Sequence, residues 1–263
     1  MTIREHIADI TYALRQQSIR ILTYHSISEE SNPIAIKPCI FRQQMELIEH
    51  SNYKVISLNE AVNSLRTCEP KYKSLVLTFD DGYRDNYINA FPVLRDLNFP
   101  ACFFIVTGAV ARKSSWDRHS LDLMNWDEIA HLSESGNDIG SHTNSHINLS
   151  GKNNYPNLLL ELQESAQLIQ EKLKNAFIPF AYPYGAGVYN TQVRTILTNV
   201  FSCALRANGL FGNNPATDLW GLKRVSIHPS IDLTRFKQII TGYSDIGPLF
   251  VSIKDWIRSN AGQ

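Results

Sequence analysis

Segments typical of β-strands and of α-helices alternate along almost the whole of this 263-residue chain. Strand-like runs occur near residues 19–24, 53–57, 73–79, 100–105, 178–181 and 200–204, and helix-like runs near 41–50, 58–66, 86–97, 126–135, 158–176, 190–199, 233–240 and 249–259. Such alternation is typical of βα units whose strands pair in parallel. The chain length matches a single barrel of these units, so we predict an α/β fold of the barrel type.

We expect one domain over residues 19–263, preceded by a helix over residues 1–18 that packs on the barrel. Apolar residues of this first segment, among them Ile3, Ile7 and Leu14, recur at helical spacing with charges between them. The segment has neither the continuous apolar stretch nor the cleavage site of a signal peptide. No run of about eighteen apolar residues occurs anywhere, so we expect no membrane span and a cytoplasmic protein.

The composition excludes several classes of partner. The chain carries 25 basic and 25 acidic residues, so nothing in its charge favours a nucleic acid or an anionic membrane. Its 43% of hydrophobic residues suffice for a large core. Cys102 and Cys203 lie in apolar runs and are predicted to be buried. The four cysteines form no C-x-x-C pair, and nothing in the sequence requires a disulfide, which favours a reducing compartment. Residues 209–218, rich in glycine, asparagine and proline, predict a long surface loop.

Two adjacent carboxylates end one of the predicted strands. Residues 73–79 read KSLVLTF, and this apolar run stops abruptly at Asp80, Asp81 and Gly82. The glycine permits a tight turn, which would leave both aspartates at the carboxyl end of a buried strand. In parallel sheets and barrels that end is where ligands bind.

Two histidines four residues apart follow another predicted strand. His142 and His146 lie just after residues 138–140, and side chains at this spacing share a face if the segment forms a helical turn. Together with Asp81 they make a ligand set that can hold one divalent metal ion and leave coordination positions open. This mixed oxygen and nitrogen set suits zinc, although nickel or cobalt could substitute. The second carboxylate, Asp80, would remain free as a base, which indicates a hydrolase.

Three segments carry a resemblance to a known family. Residues 78–82 (TFDDG) and 141–146 (SHTNSH) resemble the first two motifs of the NodB-type polysaccharide deacetylases, carbohydrate esterase family four, and residues 180–185 (FAYPYG) resemble the third. The resemblance extends roughly over residues 20–243. It implies a deformed (β/α) barrel that removes N-acetyl groups from carbohydrates with one divalent metal ion bound by Asp81, His142 and His146.

The resemblance also implies roles for residues around the metal. Asp80 would take the proton of the attacking water, and the backbone N–H of Tyr184 would stabilise the oxyanion. A general acid must protonate the leaving amine, because an amide anion is a very poor leaving group. Two histidines are candidates, His25 and His228. We favour His25, because its segment resembles the amino-terminal Tyr-His motif of the poly-N-acetylglucosamine deacetylases, whose motif order is circularly permuted, whereas His228 fits the family's late motif poorly.

The third motif departs from the commoner family form. Ala181 and Tyr182 stand where an arginine usually orients the base aspartate. Arg224, on a late strand-like segment, could replace that arginine or could equally be a surface residue. Aromatic residues in the predicted strand-end loops could shape a sugar site, although packing is the commoner use of each: Tyr83, Trp116, Tyr184 and Trp220.

Three functions therefore compete. The favoured one is metal-dependent N-deacetylation of an N-acetylated sugar polymer or oligosaccharide. The alternatives are a deacetylase or deformylase of a small or lipid-linked amino sugar, and a catalytically idle barrel that binds glycans. The presence of Asp80, Asp81, His142 and His146 together favours an enzyme, because an idle barrel does not need all four. The sequence leaves the oligomeric state open.

Overall fold

A parallel β-barrel surrounded by helices forms the part of the chain that the structure describes. The computed structural model describes residues 18–69, 73–150, 155–207, 209 and 212–242. The strands are β1 (Arg20–Tyr24), β2 (Ser26–Ile27), β3 (Ala35–Ile36), β4 (Lys54–Val55), β5 (Ser74–Phe79), β6 (Ala101–Ile105), β7 (Asp138–Ser141), β8 (Phe180–Ala181), β9 (Ala204–Arg206), β10 (Leu222–Lys223) and β11 (Val225–Ser226). The α-helices are α1 (Pro38–Glu49), α2 (Leu58–Arg66), α3 (Phe91–Asp96), α4 (Trp126–Glu134), α5 (Tyr155–Leu173), α6 (Thr191–Val200) and α7 (Leu233–Ile240).

The main sheet runs in the order β10-β9-β8-β7-β6-β5-β1-β11, with β4 paired to the start of β5, and all its pairs are parallel. The strands follow chain order from β5 to β10, as expected for successive βα units. All residues of β1, β5 and β6 are buried, so these strands have helices or barrel interior on both faces.

The barrel is closed by residues 222–226, which we call the closing segment. Leu222 pairs with Leu205 of β9, and Val225 pairs with Leu22 of β1, so one short stretch joins the two edges of the sheet. Arg224 lies between these two pairings. With β10 and β11 counted as one strand, seven strands form the nearly closed ring and β4, beside β5, is the eighth, which confirms the predicted deformed (β/α) barrel.

Side-chain caps explain where several helices begin. Asn125 accepts a hydrogen bond from the Glu128 amide, and the Glu128 carboxylate accepts one from the Asn125 amide, which completes a capping box at α4. Ser57, Asn190 and Asp232 cap α2, α6 and α7 in the same way through one side chain each. These caps fix the start of each helix after its strand.

Three predictions about individual segments need correction. The stretch predicted as a surface loop is not exposed throughout its described residues, because Asn213 is fully buried and pairs with Ile19 through two backbone hydrogen bonds. The strand predicted at 200–204 begins only at Ala204, since α6 continues to Val200. The helix predicted at 86–97 is not one α-helix: a π-helical turn over Asn86–Ala90 precedes α3, and Pro92 lies in the first turn of α3, where its missing N–H costs no bond.

Two predicted helices lie wholly or almost wholly outside the residues that the structure describes. The predicted helix at 249–259, and all but Ser18 of the one at 1–18, lie outside the described residues. No helix among the described residues is long and apolar enough to cross a membrane. Cys102 and Cys203 are buried and free, as predicted, and Cys39 and Cys68 are exposed and free.

Candidate active site

The carboxyl ends of neighbouring strands bring the two sequence motifs together. Asp80 and Asp81 directly follow β5, and His142 directly follows β7, two strands along the sheet. The amide of Asp80 donates to the Tyr24 carbonyl, and that of His142 donates to the Ile105 carbonyl, so each residue continues the pairing of its strand. The barrel walls therefore fix the backbone of both motifs.

Asp81, His142 and His146 converge as the ligand set that the sequence predicted. The Asp81 Oδ1 atom lies 3.4 Å from His142 Nε2 and 3.1 Å from His146 Nε2, and all three side chains are buried. The His142 Nδ1 lies 2.8 Å from the Ala181 carbonyl, which can only accept, so Nδ1 donates and Nε2 is left free to bind a metal. One ligand atom from each residue lies within 4.8 Å of the others, so the three fit one divalent cation.

The two histidines do not share a helical turn, contrary to the sequence prediction. Residues 142–146 form an irregular loop in which Thr143 and His146 have φ values of 66° and 61°. The Glu161 carboxylate holds this loop by accepting hydrogen bonds from the amides of Asn144 and Ser145. The imidazoles converge because left-handed backbone turns redirect the chain, and such strain is common at functional sites.

A buried arginine of the closing segment, Arg224, binds the Asp80 carboxylate. Arg224 Nη1 and Nη2 donate to the two Asp80 carboxylate oxygens at 2.6 and 2.8 Å, and its side chain is 1% exposed. Its guanidinium carbon lies 5.5 Å from the centre of the Phe104 ring, and its Nε donates to the Arg206 carbonyl. Arg224 is thus the arginine on Asp80 that the third motif lacks, and not a surface residue.

The surroundings shift the pKa of both aspartates downwards. Burial raises the pKa of Asp80, but the Arg224 guanidinium and the nearby His142 and His25 together lower it by more, so this carboxyl titrates below its usual range. Burial likewise raises the pKa of Asp81, while the adjacent His142 and His146 imidazoles hold it well below the usual value. Both groups are therefore ionised at neutral pH.

The two candidate acids lie in different environments. His25 is half-buried after β1 and lines the same cleft as Asp80 and Asp81. His228 is exposed after the closing segment and is not among the residues that line the cleft. The Asn86 side chain donates to the His25 carbonyl, which fixes the backbone at this point. The placement favours His25, and the role itself stays a prediction.

Tyr184 lies at the mouth of the cleft in a strained conformation. It has φ 58° and ψ 9° within the short turn Pro183–Gly185, and its side chain is largely exposed. Its hydroxyl lies 3.1 Å from His146 Nδ1. Its backbone amide donates to no backbone carbonyl among the residues that the structure describes, and an oxyanion needs such a donor.

Aromatic rings form much of the cleft, which encloses about 230 Å³. Trp116 stacks on His146 with ring centres 4.6 Å apart, and Tyr83 and Tyr184 complete this wall. Trp220 is not part of the lining and packs on the hydrophobic core. Asp117 does line the cleft and accepts from the Tyr83 hydroxyl at 3.0 Å. Sequence reasoning missed Asp117 because no strand end or motif marks its loop.

Comparison with known families agrees with this geometry. A family model described as polysaccharide deacetylase matches residues 68–200, just over half of the chain. This chain belongs to the polysaccharide deacetylase family. Its membership confirms the resemblance seen in the motifs. The matched residues contain Asp80 and the ligand set, but they begin after His25 and end before Arg224.

The chain is also similar to individual proteins. YxkH of Bacillus subtilis (strain 168) is 29% identical over 173 residues, 65% of this chain and 58% of that protein. The poly-beta-1,6-N-acetyl-D-glucosamine N-deacetylase of Staphylococcus aureus (strain MRSA252) is 27% identical over 171 residues, 62% of this chain and 58% of that protein. The chain therefore spans less than two thirds of the length of these two relatives. The solved structure of IcaB from Ammonifex degensii superposes on this chain with a TM-score of 0.75 at 24% identity. The match covers 86% of this chain and 97% of the IcaB chain, and it shows a similar fold.

Proposed function

We propose that this protein is a divalent-metal-dependent N-deacetylase acting on an N-acetylated sugar polymer or oligosaccharide. The observation that carries the proposal is the buried Asp80 carboxylate, paired with Arg224, directly beside the convergent ligand set of Asp81, His142 and His146. Family membership supports the reaction class. The name of the Staphylococcus aureus relative supports an N-acetylglucosamine polymer as substrate.

The metal site is proposed at Asp81, His142 and His146. Their buried donor atoms, one carboxylate and two imidazole nitrogens, match the preferences of zinc in open catalytic sites. A divalent ion held there supplies Lewis-acid polarisation of the acetamide carbonyl and makes water a better nucleophile near neutral pH. The protein contributes the fixed geometry, because the Ala181 carbonyl orients one imidazole and the Tyr184 hydroxyl lies against the other.

Asp80 is proposed as the general base. A base must be ionised and oriented before it can accept the proton of the attacking water. The Arg224 guanidinium does both, since its two hydrogen bonds fix the carboxylate plane and its charge lowers the Asp80 pKa. The burial of this pair excludes competing water from Asp80.

His25 and Tyr184 are proposed to complete the reaction. His25 lines the cleft and would donate a proton to the departing sugar nitrogen, which cannot leave as an anion. The backbone N–H of Tyr184 would donate to the oxyanion that forms on the acetyl carbonyl oxygen. The stacked Trp116 and the exposed Tyr184 ring offer flat apolar surfaces against which a sugar could pack.

Mass spectrometry of N-acetylglucosamine oligomers incubated with the zinc-loaded protein tests this proposal. We expect stepwise loss of acetyl mass by the wild type. Asp80→Asn should lower the rate on the order of 100-fold, because no positioned proton acceptor remains. Asp96→Asn is a matched control, because Asp96 is an exposed residue at the end of α3, and it should behave as the wild type. Intact acetyl groups after prolonged incubation with the wild type would refute the proposed reaction.

A further inference from the structure

A second depression continues from the active-site cleft along the carboxyl ends of β8 and β9. Gly185 and Ala207 line both cavities and form the boundary between them. The second depression encloses about 460 Å³, compared with about 230 Å³ for the cleft. A ligand longer than the unit held in the cleft would therefore extend into this second depression.

Tyr189 gives the second depression an aromatic surface. It lines the depression and is 84% exposed, which makes it the most exposed of the large hydrophobic side chains that the structure describes. The loop before it is closely packed, because a Cβ at Gly187 would lie 2.5 Å from the Leu149 Cβ. A ring exposed on a firmly held loop is suited to stacking on the face of a sugar.

Arg206 adds a positive charge to the same depression. It is half-buried at the end of β9, and its guanidinium forms no hydrogen bond or ion pair with any residue that the structure describes. Asp218 is not an ion-pair partner of Arg206, because its carboxylate accepts two hydrogen bonds from Arg194, at 2.6 and 3.2 Å. Arginine offers five donors and no acceptor, so it favours neutral or acidic oxygen groups and disfavours an ammonium group.

We propose that this depression binds the sugar next to the one being deacetylated, and that Arg206 rejects this neighbour when it carries a free amine. The proposal rests on the proposed deacetylase function and narrows its substrate to chains of at least two sugars. Tyr189 supplies the stacking face, and Arg206 donates to oxygen atoms of the neighbour. Each deacetylation creates an ammonium group, and this charge next to Arg206 would disfavour reaction at the adjoining unit. The enzyme would then leave spaced amines along the polymer instead of continuous blocks.

Calorimetric titration tests binding separately from turnover. The protein is titrated in the presence of a metal chelator with the N-acetylglucosamine monosaccharide, the fully acetylated trisaccharide, and a trisaccharide carrying one free amine. We expect the wild type to bind the acetylated trisaccharide on the order of fivefold more tightly than the amine-bearing one, and this preference to weaken as salt rises.

Two variants with matched controls identify the residues responsible. Arg206→Gln should bind both trisaccharides equally, and Tyr189→Ala should lose the advantage of either trisaccharide over the monosaccharide, while Tyr189→Phe keeps it. Arg42→Gln and Leu160→Ala, at exposed positions on α1 and α5, should match the wild type. An unchanged preference in Arg206→Gln, or equal binding of all sugars by the wild type and Tyr189→Ala, would overturn the proposal. If the wild type shows the preference but releases no acetate when zinc is restored, the second depression stands and the proposed reaction fails.

Discussion

At the scale of single residues, the buried pair of Asp80 and Arg224 should dominate the response to mutation. Arg224→Met leaves an unpaired carboxylate in the barrel, which should lower the free energy of unfolding by about 3–5 kcal/mol. The double variant Asp80→Asn/Arg224→Met should lose less, because no buried charge remains. Urea unfolding measures both. Arg84→Met is the control, because the Arg84 side chain is half-exposed and solvent screens its ion pair with Glu128, so its loss should be much smaller than that of Arg224→Met. Equal losses for Arg224→Met and Arg84→Met would contradict this interpretation.

His142 should be needed for metal binding. His142→Ala removes one of three convergent side-chain ligands, so bound zinc should fall from roughly one equivalent per chain to a small fraction of that. Elemental analysis after dialysis measures this content. His50→Ala is the matched control, because His50 is exposed at the end of α1. Wild-type zinc content in His142→Ala would exclude the site.

His25 should matter for amides far more than for activated esters. An amide nitrogen must be protonated to leave, whereas a good ester leaving group needs little help. His25→Ala should therefore reduce the rate on an N-acetyl sugar on the order of 100-fold and the rate on an activated acetate ester much less. His228→Ala, at the exposed alternative position, should retain both rates. The reverse pattern would transfer the acid role to His228.

At the scale of strands, helices and loops, glycines set the path of the loop that carries Tyr184 and Tyr189. Gly187 has φ 91°, and an added Cβ would lie 2.5 Å from the Leu149 Cβ. Gly136 has a similar φ of 87° but nothing within 4 Å of the added Cβ. Gly136→Ala should therefore show backbone strain alone, about 1 kcal/mol, whereas Gly187→Ala should cost about 1–3 kcal/mol because the loop must also move. Urea unfolding of the two variants compares these effects, and equal losses would mean that the contact with Leu149 is unimportant.

Local sequence signals were sufficient for most elements but not for the shape of the site. The apolar run before Asp80 and the Asn125 cap of α4 act within a few residues, so strand and helix positions could be predicted. The loop of His142 and His146 could not, because a spacing of four residues is compatible with a helical turn and with the observed left-handed loop. The sequence could not decide whether Arg224 replaces the missing arginine or lies on the surface. Its partner Asp80 lies 144 residues away, and no local pattern encodes that contact.

At the scale of the whole molecule, Asn213 ties together the two ends of the described chain. Its side chain accepts from the Lys223 amide at 2.8 Å and donates to the Lys223 carbonyl at 2.9 Å, and its backbone pairs with Ile19. Asn213→Ala leaves buried backbone groups of the closing segment without partners, so it should lower the free energy of unfolding by about 1–3 kcal/mol.

Hydrogen exchange distinguishes this effect from a general loss of stability. Amides of residues 20–24 and 222–226 should exchange faster in Asn213→Ala than those of β6 and β7, because only the closure is weakened. Asn63→Ala, on the exposed face of α2, is the control and should leave the exchange pattern unchanged. Uniform acceleration over all strands would argue against a local role for Asn213.

The position of the closing segment shows that family membership and a complete active site are two separate questions when sequences are classified. The stretch that matches the family model, residues 68–200, holds the ligand set and Asp80, whereas His25 and Arg224 come from β1 and the closing segment on either side of it. A sequence can therefore match the family model in full and still lack a residue equivalent to Arg224, which donates two hydrogen bonds to Asp80 in this chain. A match to the family model therefore does not report whether the proposed acid and the arginine partner of the proposed base are present, because these residues lie next to β1 and in the closing segment, outside the matched residues.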